Sequence, residues 1–169
     1  MCSNIVMIGM PGAGKSTVGV VLAKTMGMDF VDVDLVICRR NGGNLQSIVD
    51  SHSLEDFLRL EAEAALSLDC EGSVIATGGS MVYSEDAMAH LKSIGTIVYL
   101  KAELGELEAR IHNLTTRGIA FKPGETLADI YKGRVPLYEK WADITVETGK
   151  GDRIETVAAR ISDELRKWK

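Results

Sequence analysis

An α/β fold built on a mainly parallel sheet is predicted for this chain of 169 residues. Short β-rich runs alternate with helical patterns along its length, as in repeated strand–helix–strand units. A glycine-rich loop follows the first of these runs directly and opens the first helix, which agrees with that order. With 46% hydrophobic and 25% charged residues and no linker or internal repeat, the chain is expected to form one domain over residues 1–169.

The elements follow from the local patterns in chain order. An apolar run predicts a strand at 4–8, and the helical periodicity after the glycine loop predicts a helix at 15–26. Further β-rich runs predict strands at 29–33, 73–77, 96–100 and 143–146. Apolar residues at helical spacing predict helices at 54–68, 85–91, 104–113, 126–139 and 154–168. Turn-forming residues interrupt the pattern at 40–44 and 115–124, and we expect both segments to be mobile flaps.

The charge balance excludes some classes of partner. The net charge of −5 gives no basic surplus that would attract nucleic acid or an anionic membrane, so we expect small-molecule partners. We also expect the chain to be a monomer. No stretch approaches the roughly 20 apolar residues of a membrane span, and the N-terminus does not resemble a secretory signal, which predicts a cytoplasmic location. Cys2, Cys38 and Cys70 form no C-x-x-C pair, so neither a disulfide framework nor a zinc site is expected.

Residues 9–16 read G-M-P-G-A-G-K-S between the first predicted strand and the first predicted helix. This is the P-loop pattern in its structural context. Gly9, Gly12 and Gly14 would let backbone N–H groups converge beside the positive end of the helix, where a nucleotide phosphate fits. Lys15 would contact the β and γ phosphates, and the Ser16 hydroxyl would bind Mg²⁺. The alternative is a glycine turn before an ordinary helix, which does not account for the Lys-Ser pair.

Two acidic residues end the second predicted strand, in the run F-V-D-V-D at 30–34. Because the carboxyl ends of parallel strands form the ligand crevice, Asp32 and Asp34 are expected beside the P-loop. One of them could hold a Mg²⁺-bound water while the other contacts an acceptor hydroxyl. The alternative is a solvated strand end, or a helix N-cap provided by Asp34.

A glycine pair, Gly78 and Gly79, ends the third predicted strand in the run I-A-T-G-G-S-M. Glycines at such a position let a ligand pack against bare backbone and accept hydrogen bonds from its N–H groups. A plain turn explains the pair equally well.

With a lid segment that contains Arg117 and the run R-V-P-L-Y-E-K-W-A-D at 134–143, these motifs resemble the shikimate kinase family, in its order and over most of the chain. The resemblance implies a three-layer α/β/α fold of the P-loop kinase type with a five-stranded parallel sheet. It also implies MgATP as the phosphoryl donor and the 3-hydroxyl of shikimate as the acceptor. An acceptor-binding segment would lie at about 34–61 and a lid at about 115–124.

The resemblance implies a role for each matching position. The nucleotide would be bound by Gly12, Ala13, Gly14, Lys15, Ser16, Thr17 and Arg110, the last lying against adenine. Mg²⁺ would be held by Ser16 and Asp32. The acceptor would be bound by Asp34, Gly78, Gly79 and Arg134, and the catalytic residues would be Lys15, Asp34 and Arg117.

These roles suit phosphoryl transfer, which depends on positioning and on stabilising charge. The planar guanidinium of Arg134 suits bidentate recognition of a carboxylate. The other two arginines have local alternatives. Arg110 could form an exposed ion pair with Glu106, four residues earlier on a helix. Arg117 could be a solvated loop residue.

Several positions depart from the family pattern. The acceptor-binding helix normally carries F-R-x-x-E, and Leu58 stands where the arginine that clamps the shikimate carboxylate would be. Arg59 is one residue on, about 100° further round the helix. Ser80 replaces a third glycine, and Gly118 replaces the proline after Arg117. An adenine-flanking proline is also absent from residues 148–153.

Because the changes at positions 58 and 80 fall on the acceptor side, they predict retained phosphoryl transfer with an altered acceptor. Shikimate is the default, and a smaller hydroxy acid or amino acid such as homoserine is the alternative, since Leu58 and Ser80 would reshape the pocket. A nucleoside monophosphate kinase would need more arginines converging on its phosphate acceptor. A non-catalytic nucleotide-binding module is the remaining alternative, and intact Asp34 and Arg134 count against it.

Overall fold

The computed structural model describes residues 4–111 and 118–168, which form a five-stranded sheet with helices packed against it. Every paired strand is parallel to its neighbour, and the strand order is β2-β3-β1-β4-β5. The strands are β1 (Asn4–Ile8), β2 (Asp29–Asp32), β3 (Ser73–Ala76), β4 (Gly95–Ala102) and β5 (Ile144–Thr148). The predicted fold class is confirmed, and each of the five strands was predicted within a few residues.

Eight helices lie in the described part of the chain, together with one 3₁₀ turn at Met81–Tyr83. They are α1 (Lys15–Met26), α2 (Val33–Asn41), α3 (Leu45–Ser51), α4 (Leu54–Leu66), α5 (Glu85–Ile94), α6 (Leu104–Arg110), α7 (Leu127–Trp141) and α8 (Ile154–Trp168). None of the helices in these ranges is long and apolar enough to cross a membrane.

The core follows from the position of β1 in the middle of the sheet. All five residues of β1 are buried, because β3 and β4 pair with its two edges and helices cover its faces. Its uninterrupted apolar sequence is therefore that of a central parallel strand. The P-loop leaves the carboxyl end of this strand, and β2 and β3 end at the same edge of the sheet.

Two short helices, α2 and α3, occupy a region where the sequence pattern predicted none. β2 ends one residue earlier than predicted, because the Asp32 side chain accepts a hydrogen bond from Asp34 N at 2.9 Å and starts α2. Asn44 starts α3 in the same way through Ser47 N. Because α2 buries only Val33 and Ile37, its apolar periodicity was too weak to predict a helix.

The two predicted flaps have different outcomes. Segment 40–44 consists of the end of α2, a turn at Gly42 and Gly43, and the residue that caps α3, so it is a short helix–helix connection. In segment 115–124, residues 115–117 lie outside the described residues, as do His112 and Asn113 at the end of the predicted helix 104–113. The rest of this segment leads into α7, where Thr126 and Asp129 form a capping box.

Candidate active site

The P-loop has the geometry that a phosphate-binding nest requires. Gly12 and Gly14 have φ values of +80° and +98°, a region that disfavours residues with side chains. A Cβ atom on Gly12 would also lie 2.9 Å from the side chain of Ile111. α1 begins at Lys15, directly after this turn, so its free N–H groups face the loop. Ala13, Ser16 and Thr17 complete the loop and the first turn of this helix.

Lys15 is buried at the centre of this loop. Its Nζ atom donates hydrogen bonds to Gly9 O at 2.7 Å and to Met10 O at 2.9 Å. Burial lowers the pKa of Lys15 to about 8, the carboxylate of Asp34 opposes that shift, and the charge of Arg134 adds to it. An anion at this site would raise the pKa of Lys15 again and so further favour its charged form, which is the property a phosphate-binding lysine needs.

Ser16 and Asp32 meet beside the P-loop, as predicted. The Ser16 hydroxyl donates to Asp32 Oδ2 at 2.7 Å, and Asp32 Oδ1 accepts the hydrogen bond that caps α2. The N-cap is therefore Asp32, and the alternative that Asp34 caps the helix is wrong. Hydroxyl and carboxylate oxygens are suitable donors for Mg²⁺. The described residues contain no group of three or more His, Cys, Asp or Glu that could hold a metal, so phosphate oxygens and water would have to complete the coordination.

Asp34 lies in the first turn of α2, and its side chain lines the same cavity as Lys15. Burial raises the pKa of Asp34 to about 6, the nearby carboxylate of Asp32 raises it further, and Lys15 opposes the shift. This carboxyl group thus titrates nearer to neutrality than an exposed aspartate, which suits a group that must accept a proton.

We expect phosphoryl transfer to depend on pH through Asp34. A base must be ionised to act, so kcat/KM should rise with pH up to about 6 and level off above it. Below that pH, a plot of log(kcat/KM) against pH should have a slope of about one, as expected for a single proton. The measurement is a pH profile of kcat/KM at saturating MgATP. The pH range to cover is about one unit on either side of the Asp34 pKa, from about pH 5 to about pH 7. A kcat/KM that does not change over this range would contradict the role of Asp34 as a base.

The residues predicted to bind the acceptor line one cavity of about 280 Å³ beside the P-loop. Its walls include Lys15, Asp34, Gly78, Gly79 and Arg134. The structure thus brings together side chains and backbone from four separate parts of the chain.

Arg134 is held by α7 and is only 2% exposed. Its Nη2 atom donates to Ala120 O at 2.5 Å, whereas its Nε atom is buried and has no hydrogen-bond partner among the residues that the structure describes. Tyr138, one turn further along α7, donates to Gly79 O at 2.6 Å and so ties the glycine pair to the same helix. A buried guanidinium that lines a cavity is well suited to an anionic ligand group.

Arg110 lies apart from this cavity, at the end of α6. Its Nη1 atom donates to Gly12 O at 3.2 Å, and its Nη2 atom lies 3.4 Å from Glu106 Oε2, so the ion pair that the sequence allowed is present. A second cavity, of about 470 Å³, lies between Arg110 and the segment of Lys150 and Gly151. Because Arg110 contacts the P-loop, its position is compatible with a contact to adenine. That role remains a prediction. Arg117 lies outside the described residues, and its role also remains a prediction.

Sequence reasoning assigned no role to Glu61, which lines the acceptor cavity. Glu61 is 2% exposed, and the Ser80 hydroxyl donates a hydrogen bond to its Oε2 atom. Its spacing was the available signal, because Glu61 follows the buried Phe57 by four residues and so lies on the same face of α4. Arg59 does not take the place of the missing clamp: its side chain is 67% exposed and pairs with Asp56 at 2.8 Å and Glu63 at 4.0 Å.

We expect Gly78→Ala to weaken acceptor binding and stability together. A Cβ atom at this position would lie 2.1 Å from Glu61 Oε1 and 3.2 Å from Asp34 Oδ1, so both carboxyl groups would have to move. Overpacking of this kind costs about 1–3 kcal/mol, and the KM for the acceptor should rise. Thermal unfolding and acceptor KM are the measurements. Gly133→Ala is the matched control, because the nearest atom to its Cβ would be Tyr83 Oη at 3.8 Å; equal effects in both variants would contradict the steric argument.

A family model, curated relatives and solved structures all indicate the same family for this chain. A family model described as Shikimate kinase matches residues 11–166. The chain is 36% identical over 165 residues to the shikimate kinase of Shewanella denitrificans, with 96% of each chain covered. The structure of a shikimate kinase from Acinetobacter baumannii in complex with shikimate matches with a TM-score of 0.90 and 29% identity, over 100% of this chain and 96% of that one. The shikimate kinase structure from Aquifex aeolicus matches with a TM-score of 0.80 and 29% identity, over 97% and 96%. The chain therefore belongs to the shikimate kinase family, which consists of ATP-dependent phosphotransferases that act on an alcohol group.

Proposed function

We propose that this chain transfers the γ-phosphoryl group of MgATP to a hydroxyl group of a small acceptor that carries a carboxylate. Shikimate, after which the family is named, is the first candidate acceptor. The observation that carries the proposal is that the P-loop lysine, the buried carboxyl group of Asp34 and the buried guanidinium of Arg134 line a single cavity.

Each group has a distinct task in this reaction. The N–H groups of the P-loop and Lys15 would bind the phosphates, and Ser16 with Asp32 would hold Mg²⁺, which offsets phosphate charge. Asp34 would orient the acceptor hydroxyl and take its proton as the oxygen bonds to the γ-phosphorus and the bond to ADP breaks. Arg134 would pair with the acceptor carboxylate and so fix which hydroxyl faces Asp34.

The acceptor pocket supports a second candidate, an acceptor other than shikimate. Leu58 cannot replace a second arginine clamp, and the exposed ion pairs of Arg59 keep that side chain outside the cavity. Ser80 adds a hydroxyl beside the glycine pair and directs it to Glu61. Homoserine or another small hydroxy acid is therefore a candidate acceptor of the same reaction. Family membership argues against a nucleoside monophosphate kinase and against a non-catalytic module.

The test is an ADP-release assay with MgATP against shikimate, quinate, homoserine, gluconate and the nucleoside monophosphates. Turnover of at least one hydroxy acid, absent in Lys15→Ala, would support the proposal. Turnover of nucleoside monophosphates alone would contradict it, because Arg134 would then serve a phosphate acceptor.

Leu58→Arg should raise activity on shikimate. Leu58 lines a cavity of about 270 Å³ together with Glu61 and Ser80, so an arginine there can reach the acceptor end of the site. One charge-assisted hydrogen-bond pair to the shikimate carboxylate corresponds to a gain of about 10- to 100-fold in kcat/KM. Steady-state kinetics on shikimate is the measurement. Leu66→Arg, on an exposed position of the same helix, is the control; no gain in Leu58→Arg would show that position 58 does not decide the acceptor.

A further inference from the structure

Glu61 is a buried carboxyl group at the acceptor end of the cavity, and it has few partners. Its Oε2 atom accepts a hydrogen bond from Ser80, and across residues 4–111 and 118–168 it forms no ion pair. Burial raises the pKa of Glu61 to about 7, and the carboxylate of Asp34 adds to that shift. The hydrogen bond from Ser80 and the charges of Arg134 and Lys15 oppose it. A buried carboxylate is costly unless a cation and hydrogen bonds offset the lost hydration.

The chain supplies no cation to Glu61 from its own helix. Leu58, one turn earlier on α4, lines the cavity that adjoins Glu61 and Ser80, and its side chain carries no charge. Arg59 also lines this cavity, but its side chain is 67% exposed and its charge is paired with Asp56 and Glu63. The positive charges that act on Glu61 are those of Arg134 and Lys15, which line the acceptor cavity with it, and that cavity is open to a ligand.

The charged groups of the acceptor cavity are arranged round the glycine pair. A Cβ atom on Gly78 would lie 2.1 Å from Glu61 Oε1 and 3.2 Å from Asp34 Oδ1, so both carboxyl groups border this residue. A Cβ atom on Gly79 would lie 3.0 Å from Arg134 Nη1. With Lys15 assigned to the phosphates, the charged groups that the described residues present to the acceptor are one cation, Arg134, and two carboxyl groups.

An acceptor whose only charge is a carboxylate takes up the charge of Arg134, and with Lys15 on the phosphates it brings no further cation to Glu61. It would also lie close to the negative charge that Glu61 carries when ionised, which weakens its binding. An acceptor that carries both a carboxylate and an ammonium group matches Arg134 and Glu61 at once. Its hydroxyl would then be free to face Asp34, and a cavity of about 280 Å³ suits such a small molecule.

We propose that Glu61 binds the ammonium group of a small zwitterionic acceptor, an α-amino acid with a hydroxyl in its side chain, whose carboxylate pairs with Arg134. This inference rests on the proposed function and deepens it by naming the chemical class of the acceptor. The transfer is balanced as before: the hydroxyl oxygen bonds to the γ-phosphorus, ADP leaves with the electrons of the broken bond, and the hydroxyl proton passes to Asp34. The ammonium group takes no part in the bond changes.

The test compares acceptors that differ only in the amino group. Homoserine and 4-hydroxybutyrate share the carbon chain, the carboxylate and the hydroxyl, so their ratio of kcat/KM measures recognition of the ammonium group. We expect the protein to favour homoserine by about 10- to 100-fold, the range of one charge-assisted hydrogen bond. Glu61→Gln keeps the shape of the side chain but removes its charge. It should bring the ratio of kcat/KM for homoserine to that for 4-hydroxybutyrate down to about one, chiefly by raising the KM for homoserine.

Two further variants keep the test decisive. Glu63→Gln, on the exposed side of the same helix, should leave the preference unchanged. Leu58→Arg, which places a cation beside Glu61, should shift the preference from homoserine towards shikimate. Turnover of shikimate without turnover of homoserine, or an equal loss on both matched acceptors in Glu61→Gln, would overturn the role of Glu61 and leave the proposed function standing. Turnover of no hydroxy acid would contradict the proposed function itself.

Discussion

Lys15→Ala is expected to reduce phosphoryl transfer by about 10³-fold. The lysine charge would lie against the β and γ phosphates, where negative charge is redistributed as the bond to ADP breaks, and alanine supplies no substitute. The rest of the loop should survive, because its turn depends on Gly12 and Gly14 and its helix begins after Gly14. Steady-state ADP release at saturating MgATP and acceptor is the measurement.

Lys24→Ala is the matched control for this variant. Lys24 lies in the last turn of the same helix, is exposed, and is far along α1 from the phosphate site. Its loss should leave kcat within about twofold of the original value, as expected for a surface substitution. If Lys15→Ala transferred phosphate as fast as Lys24→Ala, the P-loop assignment would be wrong. Circular dichroism of both variants separates a lost charge from a lost fold.

Asp34→Asn should lower kcat by about 10²- to 10⁴-fold and change the affinity for ATP by less than about threefold. The amide keeps the size of the carboxyl group but cannot accept the hydroxyl proton. The helix start is preserved, because the hydrogen bond to Asp32 Oδ1 uses the backbone N–H of residue 34. The measurements are kcat by ADP release and the ATP dissociation constant by calorimetry.

The same variant provides an internal check through its pH profile. If Asp34 is the group whose pKa is raised to about 6, the rise of kcat/KM through that pH should disappear in Asp34→Asn. Asp29→Asn, at the exposed start of β2, is the control and should retain the rise. A retained profile in Asp34→Asn would assign the titration to another group, and unchanged turnover would remove Asp34 from the reaction.

Much of the fold could be predicted from local patterns because those patterns are strong. β1 is apolar at every position after Asn4, and the P-loop motif that follows it determines where α1 begins. α2 and α3 were not predicted, because each is short and buries few apolar residues. Their starts depend on single side-chain caps, Asp32 and Asn44, and these residue types are common in turns as well.

The active site was likewise predicted only in part. Motif and resemblance located Lys15, Ser16, Asp32, Asp34 and the glycine pair, and the structure brings these residues together. The spacing of Glu61 from Phe57 indicated its side of α4, but its burial was not predicted, because a glutamate within a helical pattern is most often on an exposed face. Its burial depends on Ser80, nineteen residues later in the chain.

The sequence by itself determined the α/β class, the position of the phosphate-binding loop and the residue types available for phosphoryl transfer. These properties depend on residues that are close together in sequence. A glycine loop between a strand and a helix adopts the phosphate-binding geometry whatever the helix packs against. Only the tertiary structure decided which charges face the acceptor. Arg134 and Glu61 come from α7 and α4, so their meeting in one cavity and the raised pKa of Glu61 arise from packing and lost hydration that no local pattern encodes.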